Sequence, residues 1–367
     1  MKYERLLIDV LRTSCRRKTM ENQTMTLTQL GWRPFFQQQL SLEELSLFSI
    51  GRVVEQHRSH VVVMSEQGQV RLTFSAQAER LCVGDWALFD DSQRVHRHLE
   101  RQSLFQRKAP GSKVATQLIA ANIDSVMIVC SLNHDFNLSR IERYLALAKE
   151  ALVDPVVVLT KADQCADVDD KRQQVQQLDP LMMVHSVNAL DSEALKALSR
   201  YCQTGKTIAF LGSSGVGKST LVNGLMGFEA QVTSAVREDD SKGRHTTTSR
   251  ALKWLPQGGL LMDTPGMREL QLSRCEQGVS DTFSEITELA QQCRFGDCSH
   301  ESEPGCAVQA ALHDGIVTER RLTSYRKLMR EQTLNGATLA EKRAKDKVLG
   351  KMIQGVQTAS RRNKKNY

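Results

Sequence analysis

No run of apolar residues in this chain approaches the roughly 20 needed to span a bilayer, so the sequence offers no transmembrane helix. It also lacks the pattern of a secretory signal. The short Leu6-Leu7-Ile8 patch is broken by Asp9 and precedes Arg16-Arg17-Lys18, which is the wrong order and length. Internal repeats are absent, which removes solenoids and propellers. Charge of one sign does not dominate: a formal net charge of +7 is only a mild sign of an anionic partner. Nine cysteines are present, but three cluster with a histidine in metal-ligand spacing and the rest are scattered. That usage fits a reducing cytoplasm better than a disulfide framework. What remains is a chain of 367 residues, 40% hydrophobic and 25% charged, long enough for two or three globular domains.

Two patterns of alternation divide it. After an N-terminal extension (1–46), residues 47–112 contain short β-rich runs separated by Gly or polar turns, at 49–54, 60–64, 69–74 and 83–89. Such spacing suits a small all-β barrel of the OB-fold type, a frequent oligonucleotide binder. Residues 113–277 alternate strands with helices. Ser125-Val126-Met127-Ile128-Val129-Cys130 is a continuous apolar run, as expected of a strand covered on both faces. Helical periodicity follows over 138–151, then strands at 155–159, 182–186, 207–211 and 260–262, with a helix from about Asp191. Residues 278–367 read as helical and end in a basic tail.

The chemistry sits at the ends of those strands. Gly212-Ser213-Ser214-Gly215-Val216-Gly217-Lys218-Ser219, followed by Thr220, fits the phosphate-binding loop pattern GxxxxGK[ST]. Its glycines let backbone N–H groups surround a polyphosphate, Lys218 bridges the β- and γ-phosphates, and the Ser219 hydroxyl ligates Mg²⁺. Asp263-Thr264-Pro265-Gly266 fits DxxG: Asp263 for Mg²⁺ through water, the Gly266 N–H for the γ-phosphate. Between them, residues 238–250 read as a switch in which Thr246 or Thr247 completes the Mg²⁺ shell. Thr160-Lys161-Ala162-Asp163 fits the guanine-reading pattern, with Asp163 accepting from the guanine N1–H and N2 amine, and Ser186 marks where a backbone N–H meets O6. Met267 stands where many such enzymes carry a water-orienting Gln. His245 is then the nearest candidate for the catalytic role, alongside Lys218. Intrinsic turnover should be slow, and a partner that orders the switch should raise it. Cys293, Cys298, His300 and Cys306 form C-x₄-C-x-H-x₅-C, a closed donor set for one structural Zn²⁺.

The order of these motifs is unusual: the guanine motif precedes the phosphate loop, the reverse of the ordinary arrangement. That order, with the switch Gly243-Arg244-His245-Thr246-Thr247-Thr248, the DxxG motif and the zinc spacing, resembles the RsgA (YjeQ) family of circularly permuted GTPases over roughly residues 30–355. The resemblance implies an N-terminal OB-fold barrel, a central α/β circularly permuted P-loop GTPase and a C-terminal helical zinc-binding domain. It implies GTP/GDP as ligands, and a late role in maturing the small ribosomal subunit, which stimulates hydrolysis and offers its rRNA as partner. The expected state is a cytoplasmic monomer with no membrane contact. Competing readings are a permuted GTPase for another ribosomal particle, a nucleotide-dependent RNA-binding module, and a P-loop ATPase or kinase.

Overall fold

A computed structural model describes residues 24–57, 59–73, 81–108, 116–227, 250–263 and 275–336. Two short helices come first, α1 (Pro34–Gln37) and α2 (Leu42–Leu47). At the start of α2 the Ser41 hydroxyl accepts from the Glu44 N–H while the Glu44 carboxylate accepts from the Ser41 N–H, a reciprocal cap that local sequence alone provides. Strands β1 (Ser49–Gln56), β2 (His60–Ser65), β3 (Gly68–Thr73), β4 (Trp86–Phe89) and β5 (Val95–His98) come next. They pair antiparallel in the order β3-β2-β1-β4-β5, and a parallel bridge from Thr73 to Arg94 brings the outer ends together. Val53, Val61, Val63, Leu72, Ala87 and Phe89, with Leu81, form the buried cluster between these strands. Along β2 the inward residues alternate, as a strand's two-residue period requires.

β6 (Leu104–Lys108) and β7 (Thr116–Ala121) pair with each other in a separate two-stranded sheet. The α/β unit then runs β8 (Ser125–Ser131), α3 (Leu138–Glu150), β9 (Asp154–Thr160), α4 (Val168–Gln176), β10 (Met183–Val187), α5 (Ser192–Ser199), β11 (Thr207–Leu211), α6 (Lys218–Leu225), β12 (Arg250–Trp254) and β13 (Leu260–Asp263). The strands expected from periodicity form within a residue or two of their expected positions, and Asp191 caps α5 through its side chain. β11 is buried along its whole length, which is why it reads as an unbroken apolar run.

In space these strands lie β10-β9-β8-β11-β13-β12, parallel except for β12. The strands that come last in the chain therefore occupy one half of the sheet and join the earlier ones at the β11–β8 seam. β12 also pairs antiparallel with β1, Glu55 opposite Ala251 and Gln56 opposite Arg250, so β1–β5 and the α/β strands share one eleven-stranded sheet.

The described chain closes with α7 (Glu276–Thr282), α8 (Ser284–Ala290), α9 (Ala307–His313) and α10 (Glu319–Gly336). Of these, α7 and α10 pack directly on α3. Glu142 of α3 is fully buried, accepting from Arg320 Nη1 at 2.9 Å, Arg321 Nη1 at 2.7 Å and Ser324 Oγ at 2.5 Å. Arg321 continues to Glu285 and the Thr282 carbonyl, with its guanidinium 4.4 Å from the centre of the Phe283 ring. A carboxylate withdrawn from water is tolerable only with this many donors. A second buried charge, Arg52, donates to the carbonyls of Leu30, Gly84 and Asn122, tying the N-terminal segment, the turn before β4 and the start of the α/β unit. Burial lowers its pKa to about 10. Among the described residues no helix is long and apolar enough to cross a membrane.

Candidate functional site

The phosphate loop leaves β11 and enters α6 through three glycines whose φ angles are all positive: Gly212 at 147°, Gly215 at 78° and Gly217 at 97°. Side chains rarely adopt such angles, and a methyl on Gly212 would also strike the Val129 carbonyl oxygen of neighbouring β8. The loop is thus pressed against the β11–β8 seam, where open α/β sheets bind ligands. Lys218 folds back over it, donating to the Gly212 carbonyl at 2.7 Å and to that of Ser213. Ser214, Gly215 and Ser219 are exposed, Ser213, Gly217 and Thr220 are half-buried, and Val216 anchors the loop in the core. The amide-rich face and a cation are therefore held at the start of a helix, the arrangement that binds polyphosphate.

The guanine motif abuts that loop. Thr160, the last residue of β9, is fully buried and its hydroxyl donates to the Val216 carbonyl at 2.6 Å. Lys161 is left-handed at φ 58° and donates from Nζ to the Gly215 carbonyl at 3.2 Å. Asp163 stands on a short helical turn, Ala162–Gln164, with its side chain exposed. In β10, Ser186 and Val187 pair with Leu159 and Thr160, which puts Ser186 beside the guanine motif. The Ser186 hydroxyl oxygen is buried without a hydrogen-bond partner among the described residues.

Asp263 ends β13 with its carboxylate exposed. Lys253 of β12 donates to Asp263 Oδ2 at 2.6 Å, a neighbour that motif reading did not provide. His245, Thr246, Thr247 and Gly266 lie outside the described residues, as do 1–23 and the basic tail.

The ligand atoms of Cys293, Cys298, His300 and Cys306 all fall within 4.8 Å of one another. For tetrahedral zinc with Zn–S ~2.3 Å and Zn–N ~2.0–2.1 Å, sulfurs should be about 3.8 Å apart and sulfur–nitrogen pairs about 3.6 Å. Cys293 and Cys306 sulfurs are 3.8 Å apart, and His300 Nδ1 lies 3.6 and 3.5 Å from them. The donor set fits a four-coordinate ion, and 3.8 Å excludes a disulfide there. Burial, with Arg326 nearby, pushes the His300 imidazole below its usual pKa and so favours the neutral, ligating form. The loop between the ligands is shaped by Glu303, whose carboxylate accepts from the backbone N–H of Ser299, Glu301 and Ser302 at 2.8, 2.9 and 3.0 Å.

Comparison with known proteins agrees with this geometry. The RsgA GTPase family model matches residues 98–273. The small ribosomal subunit biogenesis GTPase RsgA 2 of Vibrio parahaemolyticus is 56% identical over 349 residues, covering 95% of this chain and 98% of that one. Its counterpart RsgA in Mesorhizobium japonicum is 46% identical over 316 residues, 84% and 91% of the two chains. Among solved structures, YjeQ from Thermotoga maritima aligns with a TM-score of 0.58 at 26% identity, over 78% of this chain and 98% of that one. YloQ, a circularly permuted GTPase, aligns at 0.55 and 23% identity over 79% and 96%, a likeness of fold. Motif order, sheet order and near full-length identity thus converge, and the chain belongs to the RsgA GTPase family.

Proposed function

We propose that this chain hydrolyses GTP to GDP and phosphate as an assembly factor late in small ribosomal subunit maturation, with turnover stimulated by that subunit. The observation that carries the nucleotide assignment is the hydrogen bond from Thr160 Oγ1 to the Val216 carbonyl. It joins guanine motif and phosphate loop, reversed in the chain, into one site. The names of the Vibrio and Mesorhizobium relatives support the subunit assignment.

In this reading Asp163 selects guanine, Lys161 supports the base, and Ser186 lies at the O6 side. The amides of residues 212–220 and the Lys218 ammonium hold the β- and γ-phosphates in a fixed pose, which is most of what phosphoryl transfer asks of a protein. Ser219 and either Thr246 or Thr247 would ligate Mg²⁺, Asp263 would hold it through water, and the Gly266 N–H would meet the γ-phosphate. When bound, Mg²⁺ offsets the charge that develops on the transferring phosphoryl group. His245 positions the attacking water, because Met267 has no group that can. One Zn²⁺ on Cys293, Cys298, His300 and Cys306 is structural.

We read residues 47–112 as an OB-type barrel, 113–277 as the permuted GTPase and 278–367 as the zinc-binding domain with its tail. The β3-β2-β1-β4-β5 pairing and the Thr73–Arg94 bridge support the barrel. Barrel and basic tail together grip rRNA phosphates, a salt-sensitive attachment. The working form is a cytoplasmic monomer.

The test is hydrolysis of GTP and of ATP by the purified protein, alone, with small subunits and with large ones. GTP-only turnover raised by small subunits is expected. Turnover indifferent to both particles would remove the ribosomal assignment, and turnover of ATP would remove the guanine one. Asp163→Asn should lose discrimination against xanthine nucleotides.

A further inference from the structure

Lys253 stands opposite Leu261 in the β12–β13 ladder, two positions along from the Ala251–Asp263 pair. With a two-residue period, Lys253 and Asp263 therefore leave the sheet on the same face. The Lys253 ammonium lies 2.6 Å from Asp263 Oδ2, and the two side chains remain 48% and 56% exposed. This is an ion pair open to water, unlike the sealed Glu142–Arg321 contact, so either member can change partner cheaply. Asp263 is also the carboxylate to which the proposed function assigns Mg²⁺ through water, and any role for Lys253 at the cation rests on that assignment.

We propose that Lys253 is a positioning residue for the divalent cation: its ammonium competes for the Asp263 carboxylate and so sets the Mg²⁺ concentration at which nucleotide is held tightly. The ammonium on Oδ2 offsets part of the Asp263 charge and repels a second cation approaching the same carboxylate, while a hydrated Mg²⁺ carries twice the charge of the ammonium. Mg²⁺ therefore wins at sufficient concentration, and Lys253 raises the concentration needed. β12 begins at Arg250, the last residue of the 238–250 segment read as the switch, so the competitor stands on the strand that leads out of it. Exposed ion pairs are weak, so the expected effect is modest, about two- to five-fold in Mg²⁺ requirement.

The experiment titrates Mg²⁺ into the full-length protein with N-methylanthraniloyl-GDP at fixed concentration, and measures the same nucleotide's affinity in EDTA. Wild type, Lys253→Met, Lys253→Arg and Asp263→Asn are compared. Lys253→Met should lower the half-saturating Mg²⁺ about two- to five-fold, by a margin that narrows as salt rises. Its affinity in EDTA should match wild type, and Lys253→Arg should restore the wild-type Mg²⁺ requirement. An unchanged or raised Mg²⁺ requirement in Lys253→Met overturns the proposal. So does weaker binding in EDTA, which would make Lys253 a phosphate ligand. Asp263→Asn separates this from the reading beneath it: a raised Mg²⁺ requirement upholds Asp263 as the cation's anchor. An unchanged one removes that assignment, whatever Lys253→Met does.

Discussion

Gly278 decides how closely the C-terminal helices can sit on the GTPase, and its replacement by alanine has a calculable outcome. It lies in α7 against α3, where its N–H donates to Glu150 Oε2 at 2.9 Å. A methyl added there would stand 2.8 Å from the Glu150 nitrogen and 2.9 Å from its Cβ, and closer still to the Ala146 carbonyl oxygen. Carbon atoms pack best at about 3.5–4.0 Å, so the helices must separate by roughly 1 Å. The atoms in the way are mostly backbone, and no rotamer change relieves them. Overpacking of this kind costs about 1–3 kcal/mol, and the rigid case belongs at the upper end. Alanine returns about 1 kcal/mol in helix propensity. The net is a loss of about 2 kcal/mol, close to a thirty-fold rise in local opening. Hydrogen exchange of the amides in 138–150 and 276–282 reads this directly. Gly224→Ala is the control: its methyl clashes with Leu195 Cδ1, the end of a side chain that can rotate, and meets Leu195 Cγ and the Ala189 carbonyl at ordinary contact distance. Protection in Gly278→Ala equal to wild type, or a larger loss in Gly224→Ala, would refute the reasoning.

Three further outcomes are expected. Thr160→Val keeps the shape but leaves the Val216 carbonyl without its buried donor, a loss of about 1–3 kcal/mol that should weaken GDP binding at least several-fold by titration. Removing metal from Cys293, Cys298, His300 and Cys306 with a chelator should release one zinc per chain, measured by elemental analysis, and lower helical circular dichroism from 275–336. Glu44, held near pKa 2 chiefly by its hydrogen bond from Arg97, stabilises the fold above its ordinary 4.5 and loses that contribution as pH falls toward 2. The melting-temperature gap between wild type and Glu44→Gln should therefore be full at pH 7, begin to narrow below 4.5 and close only as pH falls through about 2.

The parts of this protein that were legible in the chain are those whose physics is local. Glycines at 212, 215 and 217 advertise a backbone that must take positive φ, and the four metal ligands lie within one short loop. β11 and β8 announce themselves as apolar runs because both faces are covered. Even the reversed motif order could be read directly, since it needs only the position of Thr160 relative to Gly212. The switch and DxxG assignments at His245, Thr246, Thr247 and Gly266 remain sequence readings. Tertiary structure alone decided which distant segments meet. Nothing local in 250–254 foretells that β12 pairs with both β13 and β1, because partner choice depends on which strand edges packing leaves free. Glu142 and Arg321, 179 residues apart, look in sequence like ordinary surface charges, and only helix docking buries them together. Lys253 likewise gains its meaning from the ladder that sets it beside Asp263. Local backbone preference and ligand spacing are written residue by residue, whereas contacts across a sheet or between helices exist only once the chain has chosen its neighbours.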